Sequence, residues 1–372
     1  MPKHGHRTTS TSFGALVVLL AVLASGCGGG SSSAPTAPAS TPVEPADLFV
    51  APDGPGAGIC SVDLPCASID EAYQVASAGD LIEIGAGRYP PQEIVASARP
   101  IDGDPVIVQP AEGADVRLAY LDIGEGAAGL EVRDVVTSGF YIRPGAADIT
   151  LRGVRSRGGG TFITSGSRIR IIGGEITDVD SVDGLQVKSR DGADTTDLLI
   201  DGLTIRNVTR TQDPSAHVEC IQFTSGVRVT IRNSRFVDCG TQGVFFKEAL
   251  GGTIREVLVE NNWFGRITGY NTLIFDAGVS EATARYNSFA QAPRLGHDTT
   301  SGIVAYGNAG VLSACVASTT YRDNVWSGVA CGPGDIKADS RFVDAAGFDL
   351  RLRPDSPAID HGDPADHPAR DL

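Results

Sequence analysis

The stretch VTIRNSRF, Val229 to Phe236, decides the fold. It reads apolar, polar, apolar, any residue, a turn residue, then strand again. The pattern recurs as LEVRDVVT from Leu130, ITLRGVRS from Ile149, IRIIGGEI from Ile169 and LLIDGLTI from Leu198. It continues as VLVENNWF from Val257, ATARYNSF from Ala282 and TTYRDNVW from Thr319. The intervals run from 19 to 37 residues. A floor near 20 with variable excess predicts turns of one coil carrying loops of different length.

A second ladder keeps step with the first. Its members are Phe140, Phe162, Leu185, Ile221, Val244, Leu273 and Ile303. Two residues further on stand Ile142, Thr164, Val187, Phe223, Phe246, Phe275 and Ala305. Alternation along a strand places both sets inside and the residues between them outside. AHVECIQF, Ala216 to Phe223, is then one rung, with Cys220 and Gln222 outward. In VDGLQVK the same rule turns Gln186 and Lys188 outward. No rung can bury its apolar face alone, so the stack is the folding unit. Asn262, Asn287 and Asn324 share one turn position, held by Gly174 in an earlier rung. Both residue types tolerate a left-handed backbone, and stacked asparagines can hydrogen-bond along the coil.

This pattern resembles the right-handed parallel β-helix proteins of the pectin-lyase-like superfamily. Two further stretches carry the likeness, which covers about residues 48–362. Phe49 to Tyr89 looks like their entry: a strand, a Gly-rich loop, a capping helix and a first coil strand. Ser68 and Glu71 form a capping box there, and Ile69, Ala72, Tyr73 and Ala76 make the helix's apolar face. Such a helix covers the coil's open end. FDLRLRPDSPAIDHG, from Phe348, resembles the closing segment of these proteins. The resemblance implies an all-β solenoid with an N-terminal capping helix. It implies no catalytic residues: no Asp-Asp occurs, and GHD at Gly296–Asp298 and RIR at Arg168–Arg170 are poor matches to polygalacturonase motifs.

The ends predict where the protein resides. A basic start with Lys3 and Arg7, then the apolar run Phe13–Ala24, reads as an export signal over residues 1–26. The run is too short to span a bilayer. LASGC resembles the lipobox of bacterial lipoproteins and marks Cys27 for lipidation. A Gly/Ser/Pro-rich tether follows to residue 46, and the β-helix domain occupies 47–372. The formal charge is −15, and loss of Lys3 and Arg7 takes it to −17. That argues against nucleic acid as a partner. Beyond Cys27, six cysteines remain in an oxidising compartment. Cys60 with Cys66 closes a short loop, and Cys315 with Cys331 brackets a strand; Cys220 and Cys239 remain, and sequence alone does not decide their pairing.

Asp183 and Glu219 occupy equivalent turn positions on adjacent rungs, about 4.8 Å apart. Strict alternation would bury both. Unpaired buried charge is costly, so the chain is expected to bend and present them at the surface. Three readings are open. Asp178, Asp180, Asp183 and Glu219 could bind calcium, which favours oxygen ligands. Asp183 and Glu219 could be a retaining glycosidase pair. They could also be a solvated acidic turn. His217 precedes Glu219 by two residues and is a candidate base or a structural hydrogen-bonder. Lys188 and Lys247 share an outward column, with Arg190 after Lys188. A lyase needs a base and a cation beside a uronate carboxylate, and Lys188 could serve. Gln186 and Gln222 form a ladder suited to hydroxyls, and Tyr141 and Phe245 offer aromatic faces. Gly139, Thr161, Gly184, Gly243 and Thr272 suggest a small-residue groove beside them. The expectation is a monomeric, envelope-anchored protein that binds polysaccharide and cleaves it as a lyase or glycosidase. The alternative is a non-catalytic carbohydrate-binding or adhesive surface protein.

Overall fold

The computed structural model describes residues 45–368 except 57, 99–102, 364 and 367. The export signal, Cys27 and most of the tether lie outside the described residues. No helix among those described is long and apolar enough to cross a membrane.

Each coil supplies three short strands, and each strand pairs in parallel with its counterpart on the next coil. Three parallel sheets result, of 12, 12 and 9 strands among the described residues. The first runs from Leu48–Val50 to Thr319–Arg322, the second from Gly87–Tyr89 to Ile336–Lys337, and the third from Gln92–Ile94 to Arg294–Leu295. Register is direct: Leu198, Val229, Val257 and Ala282 are successive partners in the first sheet. Leu185, Ile221, Val244 and Leu273 are successive partners in the third. All eight are buried in one continuous core. Identical residues therefore stack face to face: the rings of Phe223 and Phe246 lie 4.3 Å apart, and those of Phe264 and Phe289 4.9 Å apart.

The third-sheet register departs from expectation twice. Tyr141 pairs with Phe162 and Phe162 with Gln186, so Phe162 faces outward. Thr161 and Ile163 are buried beneath it, and Thr164 is buried as well, at 2% exposure, so only Phe162 leaves the core. Thr161 tolerates the core because its hydroxyl donates to Gly184 O at 2.5 Å. Ile303 and Ala305 belong to the first sheet, between the strands that begin at Ser280 and Thr319. The 37-residue interval thus spans two coils: the first closes with the third-sheet strand Arg294–Leu295, and the second supplies Ile303–Tyr306 and Ala309–Gly310 to the first and second sheets.

The asparagine column is a buried hydrogen-bond ladder. Asn262, Asn287, Asn308 and Asn324 are each at most 7% exposed. The amide Nδ2 of each of the first three donates to Oδ1 of the next, at 2.9–3.0 Å. Their backbone N–H groups donate to the same oxygens. Asp335 Oδ1 ends the ladder by accepting from Asn324 Nδ2 at 2.8 Å. The left-handed residue stands one place earlier than expected, at Asn233, Asn261, Tyr286 and Asp323, with φ between 52° and 54°. The turn and the ladder thus use neighbouring positions.

The helix, Ile69–Val75, caps the N-terminal end. Ser68 Oγ accepts from Glu71 N, while Glu71 Oε2 accepts from Ala67 N, one residue before the position a capping box uses. Tyr73 is buried and its hydroxyl donates to Ala128 O at 2.6 Å. The three disulfides are Cys60–Cys66 and Cys315–Cys331, as expected, and Cys220–Cys239. They fit an oxidising, extracytoplasmic compartment. The C-terminal segment reaches the strand ends of the first sheet, where Asp366 accepts from the Tyr306 hydroxyl at 2.6 Å and pairs with Arg285.

Asn287→Ala strands the backbone and side-chain donors of Asn262 in the core. Urea denaturation should show a loss of about 2–4 kcal/mol, against about 1 kcal/mol or less for the partly exposed Asn271→Ala.

Candidate functional site

The outer face of the third sheet brings most of the sequence-predicted residues together. Its central column runs Tyr141, Phe162, Gln186, Gln222, Phe245 and Ile274. Beside it, Thr164 pairs with Lys188, and Thr224 and Lys247 follow on the next two coils.

Asp183 and Glu219 lie at the entry to this face and are buried, at 9% and 0% exposure. The expected bend to the surface does not occur, because the burial is compensated. Glu219 N–H donates to Asp183 Oδ1 at 2.9 Å, and Gln186 Nε2 donates to Asp183 Oδ2 at 3.2 Å. Burial pushes both carboxyls up from their ordinary range. Glu219 rises because of its burial first, then the hydrogen bond and charge of Asp183. Two carboxyls so placed hold a proton between them at neutral pH.

His217 brings the pair to the surface. Its Nδ1 lies 2.5 Å from Glu219 Oε1 while half of its side chain, 53%, is exposed. Gln242 Nε2 lies 3.2 Å from His217 Nε2. On the other side, Gln186 Nε2 donates to Gln222 Oε1 at 2.9 Å and Lys188 Nζ donates to Gln186 Oε1 at 3.2 Å. The Lys188 ammonium also lies 5.2 Å from the Phe162 ring centre. Lys188, Gln186, Asp183 and the Glu219 amide thus form one hydrogen-bonded chain; His217 Nδ1 approaches Glu219 Oε1, although neither Glu219 carboxyl oxygen has a hydrogen-bond partner of good geometry among the described residues, and Gln242 follows beyond His217. Phe162 and Gln242 were not foreseen. Both become legible once the register is set, since Gln242 is the backbone partner of Glu219.

Several expected members fall outside the network. Asp178 accepts from Asn207 Nδ2 at 2.7 Å, which holds its carboxyl below the ordinary range. Asp180 accepts from the Thr209 and Thr211 hydroxyls and from the Thr211 and Gln212 amides, and is held down to about 2, chiefly by Thr211. The four carboxylates expected to share calcium thus have separate partners. Among the described residues, no three His, Cys, Asp or Glu side chains are grouped to hold a metal ion. Arg190 turns away to Glu125, at 2.5 Å. Lys247 is exposed beside the face. Tyr141 keeps its place, its hydroxyl 3.1 Å from Thr164 Oγ1.

Phe245 is not a stacking platform. It is 7% exposed, with the His217 ring centre 6.2 Å away. Cys220 is buried in its disulfide instead of pointing outward. The small-residue groove does not form: a Cβ on Gly184 would strike Ile205 and Val208 of the core, and Thr161 and Thr272 are buried. The glycosidase reading also loses its geometry, since a carboxyl buried as deeply as Glu219 cannot touch a sugar. The two large cavities lie elsewhere. One, of about 780 Å³, is lined by Asp148, Arg168 and Asp197; the other, of about 810 Å³, is lined by Trp263, Tyr286 and Leu350.

No protein-family model and no curated protein sequence matches the chain. Solved structures do. The pectate lyase Pel9A aligns with a TM-score of 0.54 at 14% identity, over 83% of this chain and 90% of that one. XylC in complex with xylose aligns with a TM-score of 0.50 at 10% identity, over 77% of this chain and 69% of that one. The chain has the pectin-lyase-like right-handed parallel β-helix fold. Identities this low carry the fold and leave the chemistry to the residues of this β-helix.

The raised carboxyl fixes a pH dependence. Folded Glu219 keeps a proton that the unfolded chain releases near its ordinary value of 4.5. Its favourable contribution is complete below that value and is lost as pH rises, with a slope of up to about 1.4 kcal/mol per pH unit. Glu219→Gln should flatten this decline and unfold at a higher temperature than the parent at pH 8, as followed by circular dichroism.

Proposed function

We propose that this β-helix binds an acidic polysaccharide across the third-sheet face and cleaves it by β-elimination, with His217 as the proton-transfer group. The observation that carries the reading is the line of polar contacts from Lys188 to His217. An elimination needs a base for the proton beside a uronate carboxylate and a cation to neutralise that carboxylate. His217 is the exposed end of the buried pair, and Lys188 is the cation on the same face. In the step, His217 Nε2, exchanging its contact with the Gln242 amide for the substrate, takes the C5 proton of a uronate. The C5–H electrons form the C4–C5 double bond, and the C4–O bond breaks. The departing oxygen leaves with the proton that the imidazolium returns. Glu219 and Asp183 act through the imidazole and do not touch the sugar. Phe162 and Tyr141 offer ring faces, and Gln186 and Gln222 offer amides to hydroxyls. The aligned structures, a pectate lyase and a xylose complex, agree with a carbohydrate partner.

Incubation with a panel of uronate-containing polysaccharides should release an unsaturated, ultraviolet-absorbing product from at least one. His217→Ala should cut that turnover by about 10²–10⁴-fold while retention on the same immobilised glycan persists. Lys188→Ala should weaken both. Retention without any unsaturated product would favour the non-catalytic binding protein; turnover untouched in both variants would place the site elsewhere.

The same proposal puts the domain on the outside of a bacterial envelope, held by a lipid on Cys27. A chain expressed with its leader should partition into detergent-extracted membranes, and Cys27→Ser should move it to the soluble extracytoplasmic fraction.

A further inference from the structure

A neutral carboxyl set between a carboxylate and an imidazole has one proton and two possible acceptors. Glu219 stands beside both: its Oε1 lies 2.5 Å from His217 Nδ1, its backbone amide donates to Asp183, and its two buried carboxyl oxygens, unpartnered among the described residues, are free to take up either bond. In one arrangement it donates to Asp183 and accepts from His217 Nδ1–H, which leaves the lone pair on Nε2. In the other it donates to Nδ1, and Nε2 carries the hydrogen. Glu219 alone does not choose between them.

Gln242 can. It sits on the next coil as the backbone partner of Glu219, and it is 7% exposed. Its amide nitrogen, a donor only, lies 3.2 Å from His217 Nε2. The lone pair must then be on Nε2 and the hydrogen on Nδ1. We propose that Gln242 is a positioning residue that fixes the His217 tautomer, and with it the direction in which the proton of Glu219 points.

A second observation supports this. Gln242 Oε1 is buried and has no hydrogen-bond partner among the described residues. A half-satisfied buried amide is costly, and no other side-chain bond of Gln242 accounts for it. The spare oxygen has a use after proton transfer. Once Nε2 has taken a proton, a half-turn of the amide lets Oε1 accept from the new Nε2–H. Gln242 then partners the imidazole both before and after it is loaded. The inference builds on His217 as the proposed base, but its test needs no turnover.

The test is ¹⁵N NMR of the full chain labelled at histidine, at pH 8 and without substrate. The His217 signals are identified by their loss in His217→Gln. The parent should show Nδ1 protonated and Nε2 bare, favoured by about fivefold or more. Gln242→Leu should give a mixture in which the Nε2–H form grows several-fold. Gln242→Glu, of nearly the same volume but accepting where the amide donated, should make Nε2–H the main form. It also serves if the leucine variant fails to fold. A parent with Nε2–H as its main form, or variants with the parental pattern, would overturn the inference. The expected tautomers without lyase activity would sink the proposed reaction and leave the role of Gln242 standing.

Discussion

Parallel, in-register pairing of each coil on the next is the constraint on which the rest depends. A coil has three short strands and no second layer, so its apolar face is covered only by the coils above and below. Direct register makes like stack on like. That suits phenylalanine, whose rings stack through Phe223, Phe246 and Phe275. It also suits asparagine, which can donate to one neighbour and accept from the other without end. The ladder needs a stop, and Asp335 supplies it with an acceptor-only side chain whose second oxygen takes the Cys331 and Gly332 amides.

The same constraint explains how the sequence could be read and where the reading slipped. Strand positions in the first sheet were legible because Val, Ile and Leu alternate there with polar residues through eight rungs. Third-sheet strands are shorter and follow loops of unequal length. Around Thr161–Thr164 the run TFIT offers two registers, and hydrophobicity alone favours burying Phe162. The structure buries Thr161 and Ile163 because the threonine hydroxyl finds a carbonyl, a fact of the neighbouring coil that no local pattern records. At Ile303 the alternation was real and only the sheet was misassigned. The left-handed turn was misplaced by one residue because the ladder asparagines outnumber those in the turn itself.

The candidate site was half legible for a related reason. Spacing put Asp183 above Glu219 and Lys188 in the column of Lys247, and all four are there. Alternation turned the carboxyls inward, and the cost of buried charge argued them back to the surface; spacing could not show the Glu219 and Gln186 amides that make the burial tolerable. Nor could it show the partners of Asp178 and Asp180. Asp178 and Asp180 lie in a strand of the second sheet, and their nearest donors come from the coil beneath, at Asn207, Thr209 and Thr211.

What remains is why a stack so regular keeps two carboxyls where uncharged residues would serve. On the coils around them the corresponding register positions hold Ser138, Gly159, Gln242 and Asn271, none of them charged. At Asp183 and Glu219 the chain accepts a pH-dependent loss of stability, an exposed imidazole attached to the core, and an unpartnered amide oxygen on Gln242. Departures from local rules that cluster on one face, in a fold consistent elsewhere, mark a function more strongly than any one of them alone. The overall charge of −15 does not oppose an acidic ligand there. Screening confines the field of distant carboxylates to about 10 Å, so a chain lying on this face meets Lys188 and Lys247 first.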